Sequence, residues 1–334
     1  MQIQKNISLL PYNSFHLDAK AAEFVSVGSV EELRNVLDIK EPQLILGGGS
    51  NILLTDNLEG LVLKINITGI DEVKEDNTHV YVRAGAGEVW HEFVEYTMRK
   101  NWSGLENLSL IPGNVGAAPI QNIGAYGVEL KDIFYELEAF DRLEKKVYSF
   151  GVNDCQFAYR DSIFKSAKRN RYIILNVTFV LDKNPKLNTS YGAIREELKK
   201  MNVGSPRIQD VSQAVIRIRR SKLPDPAKIG NAGSFFKNPV VDQSVFLSLS
   251  NQYPGMPAYP HEDKSVKLAA GWLIEQCGWR GYRKGDAGVH AHQALVLVNY
   301  GKATGKEIFD LSEKIQKSVH KKFGISLDRE VNVF

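Results

Sequence analysis

Apolar and polar positions change period many times along this chain, which predicts many short helices and strands in mixed order. Ser29 to Asp38 has helical spacing, and Ser29 with Glu32 three residues on forms a capping box. Gln43 to Leu46 reads as a buried strand running straight into a glycine run. Leu61 to Ile65 and Val80 to Arg83 read as further strands, and Glu88 to Lys100 as a helix that Asn101 ends. Ile133 to Phe150 alternates around Asp141-Arg142 as a hairpin would, and Tyr172 to Leu181 is a strand rich in β-branched residues. A second capping box, Asp210 to Gln213, starts a helix that must end near Leu223-Pro224-Asp225-Pro226. Those prolines read as a domain boundary. Beyond them the pattern predicts an amphipathic helix over Val266 to Cys277 and a buried strand within Gln293 to Tyr300. Thr304 with Glu307 caps a long helix to about Phe323, and a last strand ends the chain. No repeat or low-complexity tract interrupts the order.

At 334 residues the chain exceeds one ordinary core, so two or three domains are expected. Its apolar and charged fractions are those of a soluble globular protein. A net charge of +3 argues against a nucleic-acid binder, although the cluster Arg217, Arg219, Arg220, Lys222 is a candidate for a small phosphorylated ligand. The two cysteines, Cys155 and Cys277, form no disulfide or zinc spacing, which fits a reducing cytosol. The N-terminus has no apolar signal core, and no run approaches the ~20 apolar residues that cross a bilayer. A cytoplasmic protein with no membrane partner is expected. Without an exposed heptad pattern, a monomer is the default.

Chemistry concentrates in three glycine-rich stretches. Gly47-Gly48-Gly49-Ser50-Asn51 follows a predicted strand, and successive N–H groups in such a turn form an anion-binding nest. Gly85-Ala86-Gly87 lacks the third glycine and the acidic partner of a Rossmann fingerprint, and no Walker lysine motif is present. Any dinucleotide therefore binds by another architecture. The second stretch, Ile111 to Gly127, is long, nearly uncharged and turn-rich; its backbone groups need partners, which a planar, polar-edged ring system would supply. The third is Gly230-Asn231-Ala232-Gly233-Ser234-Phe235-Phe236-Lys237-Asn238-Pro239, with a hydroxyl between a flexible turn and two aromatic rings.

Taken in order, these three stretches resemble the UDP-N-acetylenolpyruvoylglucosamine reductase family, FAD enzymes that make UDP-N-acetylmuramate for peptidoglycan. The resemblance extends to the last few residues. It implies an α+β protein with a vanillyl-alcohol-oxidase-type, two-lobed FAD-binding module and a C-terminal α+β substrate-binding domain. The expected division is 1–66 for the first lobe, 67–220 for the second and 221–334 for the substrate domain, whose last strand returns towards the active site. It assigns FAD contacts to Gly47, Gly48, Gly49, Ser50, Asn51, Pro112, Gly113, Gly116, Ala117, Gln121, Asn122, Gly124, Ala125, Tyr126 and Gly127. Many members of the wider superfamily attach flavin covalently through His or Cys near the first glycine run; none is near here, so FAD is expected to bind reversibly.

The implied reaction has two halves. NADPH passes hydride to FAD, and reduced flavin passes it to the enolpyruvyl double bond, leaving negative charge that needs stabilisation and then a proton. Ser234 matches the family's proton donor; as a serine hydroxyl is a poor acid, it requires help from cations such as Lys222 or Lys237 and a hydrogen-bond relay. Arg160, in Phe157-Ala158-Tyr159-Arg160-Asp161-Ser162, matches the active-site arginine, whose guanidinium can grip a carboxylate with two bonds. Glu330, in Asp328-Arg329-Glu330-Val331, matches the catalytic glutamate. For the UDP-sugar, Lys222 is the diphosphate candidate, and Asn238 and Gln293 match other contacting positions. Tyr191 in Ser190-Tyr191-Gly192 corresponds to a tyrosine on a mobile, substrate-covering loop, which marks one of two subtypes. NADPH is implied as co-substrate, alternating with the sugar in one pocket.

His290-Ala291-His292 puts two imidazoles on one strand face without a third ligand, and Trp90-His91 reads as a helix face, so no metal is expected. No Gly-x-Ser-x-Gly elbow supports hydrolase chemistry. Two rivals remain: an FAD-dependent sugar or alcohol oxidase of the same fold, and a non-catalytic nucleotide-sugar sensor. The Arg160, Ser234, Glu330 set argues against the sensor.

Overall fold

Strands buried on both faces carry near-unbroken apolar runs in this structure, as in Leu61 to Leu63 of a parallel sheet and Ile173 to Leu175 of an antiparallel one. The computed structural model describes residues 2–260 and 264–334. The chain forms two compact units, Met1–Ile7, Ala21–Gly49 and Leu58–Ser221 in the first, and Ser8–Lys20, Ser50–Asn57 and Lys222–Phe334 in the second.

In the first unit, the strand Leu58–Ile65 lies between Lys20–Val27 and Pro42–Leu46, parallel to both, with Gln4–Ser8 on the outer edge of Lys20–Val27. Leu61, Val62 and Leu63 are fully buried in succession, as a strand covered on both faces requires. The helix Val30–Ile39 turns Leu33, Val36 and Leu37 into that core. Ser29 Oγ accepts the Glu32 N–H at 3.1 Å, as expected. The Glu32 carboxylate, however, accepts from the Gly28 N–H at 2.7 Å rather than from Ser29, so the box closes one residue early.

A five-stranded antiparallel sheet follows, in the order Lys146–Gly151, Phe134–Asp141, Tyr172–Asp182, His79–Gly85, Ile70–Glu75. Trp90 and Phe93, from the helix Trp90–Arg99, pack on Phe179 at ring separations of 5.9 and 5.0 Å. The Trp90 indole N–H reaches the Leu108 carbonyl at 2.9 Å, so this large side chain is buried without an orphaned donor. The predicted hairpin turns where expected because the Asp141 carboxylate, fully buried, accepts the N–H groups of Leu143 and Glu144 and pairs with Arg171. The helix expected from Asp210 begins earlier and spans Ile208–Lys222. Asp210 accepts from the Arg207 N–H at 2.9 Å, and Pro206, which a helix interior excludes, sets the start.

In the second unit a small antiparallel sheet runs Gly230–Asn231, Leu297–Asn299, Ala287–Val289, Arg283–Lys284. The helix Gly305–Phe323 buries Ile308, Leu311, Ile315, Val319 and Phe323 at helical spacing, with a reciprocal Thr304–Glu307 capping box. Its first residue must be glycine, because a Cβ at Gly305 would come within 1.7 Å of the Leu54 carbonyl oxygen. The helix expected over Val266 to Cys277 is a strand followed by a short helix, Val266–Leu268 and Ala270–Gln276. Val-Lys-Leu satisfies strand alternation equally well, and pairing with Val240–Val241 and Ala258–Pro260 decides the outcome. The last strand, Asn332–Val333, runs parallel to Ile52–Leu53. The helix Gln243–Gln252, with only Leu249 buried, has too little apolar stripe to be read from sequence.

Candidate functional site

Gly47 to Gly49 leave the C-terminal end of a parallel strand, the end at which open parallel sheets bind nucleotides. This run packs directly on the second glycine stretch. A Cβ at Gly48 would lie 2.4 Å from Asn114 Oδ1 and 2.9 Å from Gly113 Cα, and one at Gly116 would lie 2.5 Å from Ala86 Cβ. Ala86, between the two glycines that fail as a fingerprint, thus serves packing. Among the described residues the N–H groups of Gly48 and Gly49 reach no acceptor. Lys64, which the sequence reading passed over, donates to the Gly47 carbonyl at 3.1 Å, and burial lowers its pKa. Two such N–H groups beside a half-buried cation fit the diphosphate of a dinucleotide. Ser50 and Asn51, the rest of the run, belong to the second unit.

Along Ile111 to Gly127 the side chains divide into those that hold the loop and those that line it. The Asn122 amide, fully buried, donates to Glu129 and to the Ala158 carbonyl and accepts the Lys131 N–H, so it is committed to the loop itself. Gln121 accepts from Lys165 Nζ at 3.1 Å. Pro112 and Ala117 are exposed. Gly124–Ala125 pairs with Val128–Glu129 around Tyr126 and Gly127, both at positive φ (52° and 83°), the signature of a tight hairpin turn.

That turn collects the charged and aromatic candidates of the first unit. Arg160 donates to the Gly124 carbonyl at 2.6 Å, with its guanidinium over the Tyr159 ring. Tyr126 and Tyr191 meet edge to face at 5.4 Å. Asn107 donates to the carbonyls of Tyr126 and Asn188, at 3.0 and 2.9 Å, tying the Tyr191 segment to the turn. Burial raises the pKa of Tyr126, against the opposing charge of Arg219. Arg219 points inwards: its Nε donates to the Leu110 carbonyl at 3.2 Å, and burial, opposed by Tyr126 and aided by Arg160, lowers its pKa. The basic cluster seen in sequence is therefore no single patch, since Arg217, Arg220 and Lys222 are exposed. Helical phase carried the signal: Arg219 repeats the buried positions Val211 and Val215 at intervals of four.

In the second unit, Phe236 bridges Arg329, the Lys237 N–H donates to Asp328, and the Glu330 N–H donates to the Phe235 carbonyl at 2.9 Å. This short ladder brings Glu330 beside the Ser234 segment. The Asn51 amide donates to the Glu330 carbonyl at 3.3 Å, and Asn332 donates to Asn51 from both N–H and amide, so three predicted residues, Asn51, Ser234 and Glu330, gather here. Gly233, at φ 69°, is held by the Asn231 side chain, and among the described residues Ser234 Oγ makes no hydrogen bond. Asn238 accepts the Ala270 N–H at 2.9 Å and, with Gln293, lines a cleft of about 280 Å³ together with Tyr259, Trp272, Glu275 and His292. Lys222 is exposed at the start of the unit. Burial, and then His292, lower the pKa of His290, whose ring lies 5.7 Å from that of the exposed His292.

Residues 225–334 match the C-terminal domain of UDP-N-acetylenolpyruvoylglucosamine reductase, and residues 21–145 match an FAD binding domain. The UDP-N-acetylenolpyruvoylglucosamine reductase of Flavobacterium johnsoniae is 51% identical over 336 aligned positions, covering 100% of both chains. The chain belongs to the UDP-N-acetylenolpyruvoylglucosamine reductase family. Relatives of the same name from Pseudomonas fluorescens and Amoebophilus asiaticus are each 48% identical across 100% of this chain and 99% of theirs. The crystal structure of the Thermus caldophilus reductase shares the fold, with a TM-score of 0.72 at 24% identity, covering 100% of this chain and 99% of that one. The FAD-binding match contains the glycine runs up to Gly127, and the C-terminal match contains Ser234, Asn238, Gln293 and Glu330. Among the described residues, no helix is long and apolar enough to cross a membrane.

Proposed function

We propose that the chain catalyses the NADPH-dependent reduction of UDP-N-acetylenolpyruvoylglucosamine to UDP-N-acetylmuramate; its relatives are named as reductases of that substrate. The observation that carries the reading is the backbone bond from Glu330 to Phe235, which sets a carboxylate in the same ladder as Ser234. FAD, when bound, supplies hydride transfer from NADPH to the enolpyruvyl double bond. Gly47, Gly48 and Gly49 would hold it with N–H donors, and the loop from Pro112 to Gly127, held in shape by Asn122, would line its site.

Arg160 binds the enolpyruvyl carboxylate and offsets the negative charge that develops there; its bond to the Gly124 carbonyl fixes the guanidinium in advance. Arg219 adds positive potential to the same turn. Ser234 Oγ donates the proton to the carbon beside that carboxylate, with Glu330 orienting it. Lys222, Tyr191, Asn238 and Gln293 bind the UDP part. The lobes 1–66 and 67–220 carry the two sheets of the first unit, and 221–334 forms the substrate domain, although 8–20 and 50–57, counted in the first lobe, fall in the second unit. The enzyme works as a cytoplasmic monomer in peptidoglycan precursor synthesis, and hence in cell-wall growth, shape and division. The oxidase reading is not favoured, because the full-length relatives are named as reductases.

Anaerobic stopped-flow absorbance tests the proposal. NADPH should bleach the flavin band, and the enolpyruvyl UDP-sugar should restore it without O₂. Recovery only on admitting O₂ would instead indicate the oxidase.

A further inference from the structure

Leu110 stands immediately before the Ile111–Gly127 loop with φ at 59°, a left-handed conformation that a leucine keeps only where its surroundings hold it. Both of its backbone polar groups are held by side chains. Its N–H donates to His91 Nδ1 at 3.0 Å, and its carbonyl accepts from Arg219 Nε at 3.2 Å. His91 is therefore the neutral tautomer, with Nδ1 bare and the proton on Nε2, which faces Glu95 at 3.6 Å. We propose that His91 is a positioning residue: by accepting the Leu110 N–H it helps to hold Leu110 in its left-handed conformation, and with it the following peptide, whose carbonyl aims the Arg219 guanidinium at the Arg160 and Tyr126 site.

The inference rests on the proposed reductase function only for what Arg219 does there; the relay itself is a matter of geometry. A protonated His91 would turn a donor towards the Leu110 N–H, so the relay works with the neutral ring alone. The charges facing the ring are Glu92 and Glu95 on its own helix and Arg219 and Arg220 on the helix Ile208–Lys222. Burial first, then the two arginines against the two glutamates, lowers its pKa below 6.5. For a base with a depressed folded value, the contribution is full above 6.5 and is lost as pH falls through that lower value. The relay is thus intact at neutral pH and opens in acid.

The test compares wild type, His91→Asn and His91→Leu as full chains. Asparagine places Oδ1 where Nδ1 stood and cannot be protonated; leucine has no acceptor. Solvent exchange of the Leu110 amide and the Arg219 Nε–H is followed by NMR and corrected for intrinsic pH dependence. His91→Leu should speed both by about tenfold, the loss of one ordinary hydrogen bond. His91→Asn should match wild type at neutral pH, and only wild type should quicken below pH 6.5. Unchanged exchange in His91→Leu, or a Leu110 change that leaves Arg219 untouched, overturns the relay. In turnover, the acid loss of kcat/KM should disappear in His91→Asn, and Arg219→Met should abolish the effect of His91→Leu on kcat; additive effects overturn the positioning role. If His91→Leu does not fold, the wild-type and His91→Asn comparison in acid still decides. If the chain proves not to be a reductase, the exchange measurements read the relay independently.

Discussion

Replacing Gly48 by alanine adds one methyl group at the contact between the two glycine stretches. The added Cβ would sit 2.4 Å from Asn114 Oδ1 and 2.9 Å from Gly113 Cα. Neither neighbour can retreat cheaply. The Asn114 amide is buried and donates to the Gly87 carbonyl, so rotating it away breaks that bond, and Gly113 presents main chain. Overpacking of this kind costs about 1–3 kcal/mol. If the Gly47–Gly49 run absorbs the strain by moving, its N–H donors leave their positions and FAD affinity falls roughly 5- to 150-fold. Flavin fluorescence titration of the apoprotein measures this, with thermal unfolding as the companion. Gly47→Ala is the control for packing, since its Cβ would lie an ordinary 3.9 Å from Ala117 and Asn114, and apoprotein stability should not change. Asn114→Ala should rescue Gly48→Ala only in part, because the Gly113 contact remains. A Gly48→Ala protein with wild-type FAD affinity and unfolding temperature would refute the reasoning.

Ser234→Ala and Glu330→Gln should each slow flavin reoxidation by the UDP-sugar by ~10²–10⁴-fold while leaving bleaching by NADPH unchanged; equal slowing of both half-reactions would deny them a role in proton delivery. Asn107→Leu removes the two bonds that tie the Tyr191 segment to the Tyr126 turn, so KM for the UDP-sugar should rise about tenfold with the flavin spectrum unaltered, read by steady-state kinetics. For Asp141, burial raises the pKa but is outweighed by Arg171 and the N–H groups of Glu144 and Leu143, which bring it below 3.8. Its stabilising contribution is then full above 3.8 and lost as pH falls through the lower folded value. Arg171→Met should lower Tm by several degrees at neutral pH and narrow its gap to wild type in acid; a gap independent of pH would exclude the pair as the cause.

Elements were legible where their determinants are local. Thr304 and Glu307 cap their own helix, and Asp141 closes its own hairpin with N–H groups two and three residues on. Val266–Leu268 was misread because its fate depends on two strands elsewhere, and no local pattern distinguishes a three-residue strand from the first turn of a helix. The same division runs through the site. Glycine runs and the Ser234 segment announce themselves by composition. Lys64 and His91 do not, because each acts on a backbone group remote in sequence, the Gly47 carbonyl and the Leu110 N–H, that carries no residue-specific mark. Arg219 lay between these cases, visible as a charge but oriented only by its phase with Val211 and Val215.

Glycine content points to phosphate binding by an argument that is only half of what operates here. At Gly48, Gly116 and Gly305 the atoms that exclude a Cβ belong to the protein itself: Asn114 and Gly113, Ala86, and the Leu54 carbonyl. These residues are glycine so that one stretch of backbone can lie against another, and only then can the neighbouring N–H groups be presented together. Close packing comes first and ligand binding follows from it. An alanine at such a position would therefore weaken the apoprotein as well as the complex, whereas an alanine at a position that only met the ligand would weaken the complex alone. Gly48 and Gly47, adjacent in sequence, provide both cases within a single turn.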